Sequence, residues 1–424
     1  MNGLAAEIMH YPGLLEKLGI KIQFERCGKY KSVSGEAYGR KDLSEPVREM
    51  INSLVEDDFQ MLVSRMSERR KMTKEQIVAI LERGQYFARK SIDAGLLDGD
   101  RDEIAMEDYL KQKIGESGKL HIVHGAKYRN VPRSAVGLDE SGDRIAVVFA
   151  QGMIMQGRGG FNPIFFETEQ GSDAINEALD SAAEDDSTKA IVLRVNSPGG
   201  SGFGPDVICN KIVQVQKKKP VIISMSDYAA SGGYWISMAA RKIVAQPMTV
   251  TGSIGVWGIF PDFSEFHSKL GLTVDIIKRG SHADMLLADR PFDETERELF
   301  RQSIFDTYND FVRKASQYRH MPLTKMEDIA QGRSWLGVSA LKNGLIDDLG
   351  GIDRAIEIAQ KEGKAQGPVE LWLPGQKSWL DRVIEKIDSQ TSEDTPLLSE
   401  VEKVIRELRS VWLYEADPQL VEVR

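Results

Sequence analysis

The stretch AIVLRVNSPGGSGFG, residues 190–204, joins a short apolar run to a glycine-rich turn. Similar apolar runs precede and follow it, RIAVVFA at 144–150 and PVIISMS at 220–226. All three are nearly continuous in Val, Ile and other apolar residues, which is typical of strands buried on both faces of a sheet. Segments with helical periodicity separate them, at about 171–186 and 205–218. The alternation predicts βαβ units and a parallel sheet, and therefore an α/β fold.

The glycine-rich turn contains Gly199 and Gly200 and leads from the second strand into a helix. Ligands bind at the carboxyl edge of open parallel sheets, and helix N-termini there stabilise negative charge. Two interpretations stay open for the turn alone, an anion site and an ordinary tight βα loop. It matches neither the Walker pattern nor a strict GxGxxG.

The third strand runs into SMSDYAASGGYWISMAA, residues 224–240, in which Ser231 stands among small residues and precedes Gly232. At a strand-to-helix corner its hydroxyl would be exposed near the Gly199–Gly200 turn, with the Gly232 N–H directed to the same space. That is the geometry of a nucleophile beside an oxyanion hole. The alternative is a serine that caps the helix.

A nucleophilic serine needs a base, and no histidine is well placed. His282 is the only one in a plausible block, and Ala283 follows it. A lysine can serve when burial keeps its amine neutral near pH 7. Lys31, in GKYKSVSG, is the candidate; the alternative is an exposed surface lysine.

An internal repeat connects Lys31 to the serine. LLEKLGIKIQFERCGKYK (14–31) matches FHSKLGLTVDIIKRGSHA (266–283), and ARKSIDAGLLD (88–98) matches VSALKNGLIDD (338–348). Repeats of this length are duplicated domains. Each copy of the repeat is predicted to contain a helix end, a Gly, a short β-like run, a second Gly and then a long polar helical region. Lys31 aligns with Ala283, so one copy has the serine without the lysine and the other has the lysine alone. This predicts one composite site shared by two copies.

The duplication predicts four parts. Residues 1–115 are the C-terminal part of a first repeat whose early strands are absent, and residues 144–365 are a complete second repeat. A linker rich in Gly, Ser and Asp joins them at 116–143. Residues 366–424 are predicted to form a helical C-terminal tail.

Composition excludes several classes of protein. The 424 residues are 41% hydrophobic and 28% charged, as in soluble globular proteins, and the net charge of −9 argues against nucleic acid as a partner. Cys27 and Cys209 are predicted to be free thiols, and the HxxH of His121 and His124 lacks the pattern of a metal site. No apolar run approaches the roughly 18 residues of a membrane span. The N-terminus does not have the pattern of a signal peptide.

Five segments together resemble the signal peptide peptidase A family, serine–lysine peptidases of the Clp-protease/crotonase superfamily. They are RVNSPGGS, MSDYAASGGYWIS, VTGSIGVWG, KLGLTVDIIKRGSHAD and IAQGRSWLGVSALKNGLIDDLGGID. The resemblance covers about residues 13–115 and 143–365. In the long, duplicated form the serine lies in the C-terminal repeat and the lysine in a Y-K-S segment of the N-terminal repeat.

Tyr30 to Ser32 match the Y-K-S segment, so the resemblance implies Ser231 as nucleophile and Lys31 as general base. The short form places the lysine in G-x-H-K-D, and the G-S-H-A-D of this chain, with Ala283, excludes that arrangement. The resemblance further implies that Ser253, in TGSIG, orients the lysine. It implies backbone N–H groups of Gly200 and Gly232 as oxyanion donors.

The resemblance also implies partners. Family members degrade cleaved signal peptides or other unfolded apolar peptides, form oligomers around a hydrophobic groove, and use neither metal nor another cofactor. They are associated with bacterial-type cell membranes. Because this chain starts inside the first repeat, membrane association is expected only through upstream sequence or assembly.

Two alternatives to a peptidase stay open. A crotonase-type acyl-CoA enzyme shares the glycine-rich turns but needs acidic catalytic residues and an adenine pocket, and neither is clear in the sequence. A non-catalytic assembly subunit is expected if the shortened first repeat does not present Lys31 to Ser231.

Overall fold

The computed structural model describes residues 3–31, 33–84, 88–122, 142–162, 167–366 and 370–372. The strands in these ranges are β1 (Lys21–Cys27), β2 (Arg144–Gln151), β3 (Ile154–Met155), β4 (Gly159–Asn162), β5 (Glu167–Gly171), β6 (Thr188–Ser197), β7 (Val221–Ala230), β8 (Lys242–Ala245), β9 (Val250–Gly252), β10 (Val256–Asp262), β11 (Ser334–Leu336), β12 (Asp348–Leu349) and β13 (Glu370–Trp372).

The helices in the same ranges are α1 (Pro12–Leu18), α2 (Val33–Gly39), α3 (Glu45–Arg70), α4 (Lys74–Arg83), α5 (Ala88–Asp93), α6 (Glu103–Ile114), α7 (Ser172–Glu184), α8 (Phe203–Val215), α9 (Gly232–Ser237), α10 (Ser264–Lys269), α11 (Glu294–Tyr318), α12 (Leu323–Ile329), α13 (Gly337–Asn343) and α14 (Ile352–Gly363). None of these helices is both long and apolar enough to cross a membrane.

A parallel sheet forms the centre of the fold. Its main path runs β11-β9-β7-β6-β2-β13, and β8 pairs with β7 and β12. Every pairing in it is parallel except that of β11 with β9. The three predicted apolar runs are β2, β6 and β7, and the two predicted helical segments are α7 and α8. The predicted α/β fold with a parallel sheet is confirmed.

Both faces of the sheet are buried, because alternate residues of each strand enter different cores. Leu193 and Ile223 face a core that also contains residues of α8 and α11. Val192 and Ile222 face a smaller core that Ala355 of α14 helps to close. This double burial accounts for the nearly continuous apolar runs in the sequence.

A two-stranded antiparallel sheet attaches the N-terminal segment to the rest of the structure. Strand β1 pairs with β10 from Lys21 opposite Asp262 to Cys27 opposite Val256. The turn that carries Lys31 follows β1 directly, so this pairing brings residues 28–31 to the edge of the central sheet.

The second copy of the repeated segment behaves differently. Residues 273–279 align with β1, and the prediction of a β-like run there is wrong: they form no strand. A strand needs a hydrogen-bonded neighbour, and none of the described strands pairs with these residues. Their apolar side chains are left exposed, with Val274 at 51% and Ile277 at 92%.

Parts of the predicted linker and tail, residues 123–141 and 373–424, lie outside the described residues. The sequence analysis did not predict strand β13, which lies within the predicted tail and pairs in parallel with β2. Cys27 and Cys209 are both buried free thiols, as predicted. The division into two repeats, a linker and a tail stays a prediction.

We expect Leu193→Ala to lower the free energy of unfolding by about 2–5 kcal/mol, the usual range for a leucine truncated in a packed core. Leu193 is fully buried in the centre of the sheet. Leu299→Ala is the matched control, because that side chain is 49% exposed on α11. Urea unfolding of both variants measures the difference; equal losses would contradict the described core.

Candidate active site

One turn, TGSIG at 251–255, organises the carboxyl edge of the sheet. Three consecutive carbonyl oxygens in it each accept a hydrogen bond from a different part of the chain. The Gly252 oxygen accepts from the Ser231 N–H at 2.9 Å, and the Ile254 oxygen accepts from the Gly332 N–H at 2.7 Å. Between them, the Ser253 oxygen accepts from the Lys31 amine at 2.9 Å. The predicted serine and lysine are therefore held by neighbouring residues of one turn.

Ser231 occupies the predicted strand-to-helix corner, between the end of β7 and the start of α9. Its backbone has φ 53° and ψ −116°, and its side chain makes no capping hydrogen bond. A non-glycine residue held in such a sparsely populated region costs about 1–3 kcal/mol. A helix-capping serine is therefore not what the geometry shows. The corner instead directs the hydroxyl toward Gly199, where an added β-carbon would lie 3.3 Å from Ser231 Oγ.

Two backbone N–H groups flank the same space. A β-carbon on Gly232 would lie 3.1 Å from the Gly200 nitrogen, and one on Gly199 would lie 3.2 Å from the Gly232 nitrogen. Neither N–H has an acceptor among the described residues. Two unpaired N–H groups beside a hydroxyl favour the anion-site interpretation of the glycine-rich turn over that of an ordinary loop.

Only glycine fits at position 200. A β-carbon there would lie 1.8 Å from the carbonyl oxygen of Ile154. That carbonyl accepts the Ser201 N–H at 3.0 Å, and the Ile154 N–H donates to the Gly199 oxygen at 2.9 Å. Strand β3 therefore fixes the turn from one side and leaves the Gly200 N–H free on the other.

Lys31 is buried, with 6% of its surface exposed, so the interpretation as a surface lysine is wrong. Its stem lies in a slot between two glycines. A β-carbon on Gly255 would lie 2.9 Å from Lys31 Cβ, and one on Gly332 would lie 2.2 Å from the same atom. Any larger residue at either position would fill the slot.

The environment of the Lys31 amine favours its neutral form. Burial lowers its pKa from 10.5 to about 7, because a charged amine without water is unfavourable. Its acceptors are both uncharged, the carbonyl oxygen and the hydroxyl Oγ of Ser253, each at 2.9 Å. No carboxylate forms an ion pair with it in the described part of the chain. Ser253 thus lies where the sequence analysis expected a lysine-orienting hydroxyl.

The structure brings Ser231, Lys31, Ser253, Gly200 and Gly232 to one edge of the sheet. Within the described ranges, the Ser231 hydroxyl and the Lys31 amine form no hydrogen bond with each other; the Ser231 backbone N–H and the Lys31 amine bond the neighbouring carbonyl oxygens of Gly252 and Ser253. Hydrogen bonds of this kind often form only when substrate is bound. Ser32, the last residue of the Y-K-S segment, lies outside the described residues.

Sequence reasoning missed the loop at 331–332. Its backbone contacts the turn before Lys31, with the Tyr30 N–H donating to the Gln331 oxygen at 2.7 Å. Gly28 allows this approach, since a β-carbon there would lie 2.6 Å from the Gln331 carbonyl carbon. The motif IAQGRSWLG was visible, but nothing local in it indicates a contact with a residue 300 positions away.

A cluster of His282, Asp293 and Glu296 has ligand-type atoms within 4.8 Å of one another. Arg290 donates to both carboxylate oxygens of Glu296 at 2.6 Å, and also to Asp284. The guanidinium already supplies the positive charge that this buried carboxylate needs. The cluster is an ion-pair network that anchors the 278–290 loop, away from the turn at 252–253.

The family model described as Peptidase family S49 matches residues 1–120 and 213–366. The chain belongs to peptidase family S49. The matched ranges contain Lys31, Ser231 and Ser253, and the family resemblance predicted from the motifs is confirmed.

Three curated relatives of this S49 chain cover most of it. It is 37% identical to "Serine protease SPPA, chloroplastic" of Arabidopsis thaliana, over 85% of this chain and 54% of the relative. It is 31% identical to "Protease 4" of Haemophilus influenzae, over 85% and 59% respectively. It is also 31% identical to "Protease 4" of Salmonella typhi, over 94% and 64%. The chain thus spans between about half and two thirds of the length of these relatives.

We expect Lys31→Met to stabilise the S49 chain most at low pH. Since burial lowers the Lys31 pKa from 10.5 to about 7, the unfolded chain binds more protons between these values, and the stability of the parent rises with pH across that window. The variant has no such titration. It should exceed the parent by up to about 5 kcal/mol below pH 7, with the advantage vanishing toward pH 10.5.

Urea unfolding at several pH values from 6 to 10 measures this difference. Lys29→Met is the control, because the Lys29 amine is 56% exposed and two residues away. A Lys31→Met advantage that does not change with pH would contradict a buried, neutral amine.

Proposed function

We propose that the chain hydrolyses peptide bonds through an acyl-enzyme on Ser231, with the neutral Lys31 amine as general base. The observation that carries the proposal is the placement of a buried lysine on the turn that also holds the corner of Ser231. A lysine without water and without a carboxylate is poised to accept a proton near pH 7.

The hydrogen bonds of Lys31 support the role of a base. A neutral primary amine has two N–H groups and one lone pair. Both N–H groups have acceptors on Ser253, its carbonyl oxygen and its hydroxyl. The lone pair is then left to accept the Ser231 proton, once the hydroxyl comes within hydrogen-bond distance or one water bridges the two groups.

In the first half-reaction, Ser231 Oγ attacks the scissile carbonyl carbon while its proton passes to Lys31 Nζ. The N–H groups of Gly200 and Gly232 stabilise the negative oxygen of the tetrahedral intermediate. The Lys31 ammonium then gives its proton to the leaving amine as the C–N bond breaks. An ester on Ser231 and a free amine result.

In the second half-reaction, water attacks the ester carbonyl and gives a proton to Lys31. The same two N–H groups stabilise the second tetrahedral intermediate. When the C–O bond to Ser231 breaks, the serine regains a proton from Lys31 and a carboxylic acid leaves. The enzyme returns to its starting protonation state.

We propose cleaved signal peptides or other unfolded apolar peptides as substrates. Large apolar side chains are exposed at the carboxyl edge of the sheet, near the ends of β6, β7 and β8. They include Phe203 at 77%, Tyr228 at 51% and Met248 at 44%. Such side chains suit an apolar peptide, since its binding would cover them.

Covalent labelling tests the chemistry. A peptidyl phosphonate, which reacts with nucleophilic serines, should label Ser231 at a rate that rises with pH through about 7 as Lys31 deprotonates. Lys31→Ala should lower the rate by about 100-fold or more, the usual contribution of a general base. Mass spectrometry of the labelled peptide measures site and rate.

The neighbouring Lys29→Ala is the matched control and should label like the parent. Undiminished labelling of Lys31→Ala would refute the lysine as base. Absence of labelling in the parent, together with no cleavage of apolar peptides, would favour the alternative of a non-catalytic assembly subunit.

We also propose that residues 1–115 and 144–365 are two repeats sharing this site, and that the chain forms homo-oligomers. The repeat supports a specific contact. Strand β1 pairs with β10. At the repeat offset of 252 residues, the counterpart of β1 in the second copy is segment 273–279, which is exposed and unpaired. At the same offset, the counterpart of β10 in the first copy is segment 4–10, which is also mostly exposed and forms no strand. Pairing 273–279 of one copy with 4–10 of another would reproduce the β1–β10 contact and cover the apolar side chains.

Disulfide trapping tests this register. Gln23 lies opposite Phe260, so the proposed contact places Asp275 of one copy opposite Ile8 of the next. We expect the double variant Asp275→Cys, Ile8→Cys to form covalent oligomers under mild oxidation, seen on a non-reducing gel. Asp275→Cys with Glu7→Cys is the control, since a one-residue shift turns the side chain to the other face. Equal trapping in both pairs would refute the register.

A further inference from the structure

Gln331 has an unusual backbone for its residue type. Its φ is 52°, in the left-handed region, and it is followed by Gly332, which is also left-handed with φ 73°. Glycine adopts such a conformation without strain, whereas a glutamine does not. A side chain kept at a position that favours glycine calls for a specific role of that side chain.

The Gln331 amide uses both of its ends. Its Oε1 accepts the Lys29 N–H at 3.3 Å. Its Nε2 donates to the Tyr308 hydroxyl at 3.2 Å and to the Glu327 carbonyl at 3.4 Å. The side chain therefore joins helices α11 and α12 to the turn that precedes Lys31.

The Gln331 backbone adds to this connection. Its carbonyl accepts the Tyr30 N–H at 2.7 Å. Two successive N–H groups of the 28–31 turn, which we call the lysine turn, therefore donate to Gln331, those of Lys29 and Tyr30. The next residue, Gly332, forms one wall of the Lys31 slot and donates to Ile254 at 2.7 Å. Gln331 thus lies between the lysine turn and the turn that holds Ser231.

We propose that Gln331 is a positioning residue that keeps the Lys31 amine away from water by fastening the 28–31 turn over its slot. This rests on the proposed function and adds to it a determinant of the base. The mechanism is steric. Because the N–H groups of Lys29 and Tyr30 both donate to Gln331, Lys31 is held against Gly332 and Gly255, and water is excluded from its amine. The titratable and charged groups on the packed elements are Cys27, Lys29, Tyr30, Glu49, Tyr308, Glu327 and Arg333.

The test is Gln331→Met, which keeps the length and the β-carbon and removes both hydrogen-bonding groups. Loosening the turn would admit water, so we expect the Lys31 titration midpoint to rise by about one pH unit toward the ordinary lysine value. The full-length protein with ¹³Cε-labelled lysine is titrated by NMR, and the Lys31 resonance is assigned by its absence in Lys31→Met. We expect kcat/KM for an apolar peptide at pH 7 to fall about fivefold, mainly through kcat, because the neutral fraction of Lys31 falls by that factor.

Gln302→Met is the matched control, because Gln302 is exposed on α11 and its side-chain amide donates to Asp306 of its own helix. It should leave the titration unchanged. If Gln331→Met does not fold, Tyr308→Phe removes one partner of the Gln331 amide and should raise the midpoint by a smaller amount. A lower melting temperature with an unchanged Lys31 midpoint, in whichever variant folds, overturns the proposal.

The titration does not depend on catalysis. A raised midpoint in a protein that cleaves no peptide would support the positioning role and refute the proposed function. An active peptidase whose Lys31 titration midpoint is unchanged in Gln331→Met would support the proposed function and refute the positioning role.

Discussion

The removal of water from one amine is the constraint on which the site depends. Among the described residues no carboxylate pairs with Lys31, and its acceptors are a carbonyl and a hydroxyl of the same residue. The lowered pKa of its amine is therefore a property of the surrounding backbone, because close packing excludes water there. The same turn binds the Ser231 N–H, so one short segment holds both the backbone of Ser231 and the amine of Lys31.

Close backbone approach makes that burial feasible, and glycines allow it. Gly255 and Gly332 form the walls of the lysine slot, and Gly28 lets the lysine turn rest on Gln331. The walls come from segments far apart in the sequence. The strain at Ser231, with φ 53°, is held by the sheet on one side and helix α9 on the other. The site is thus built mainly from backbone geometry around Lys31, Ser231 and Ser253.

Local signals were sufficient for part of this structure. The strands around Leu193 and Ile223 were predictable because burial on both faces leaves continuous apolar runs. The corner of Ser231 was predictable because small residues and glycines follow a strand end. Lys31 required the repeat and the family resemblance, since nothing adjacent indicates its burial. Gln331 was missed because its contacts join distant segments, and the β-like run at 273–279 was wrong because a strand depends on its neighbour.

The composition of the lysine slot has a consequence for synthesis of the protein. Gly332 is made about 300 residues after Lys31 and about 100 after Ser231. At roughly 5–20 residues per second, the ribosome needs about 15–60 s to pass from the lysine to the wall that dehydrates it. During that interval the amine is hydrated and protonated, as in an unfolded chain. The order of the chain therefore delays the dehydration of Lys31 until the segment that carries Gly332 has been made.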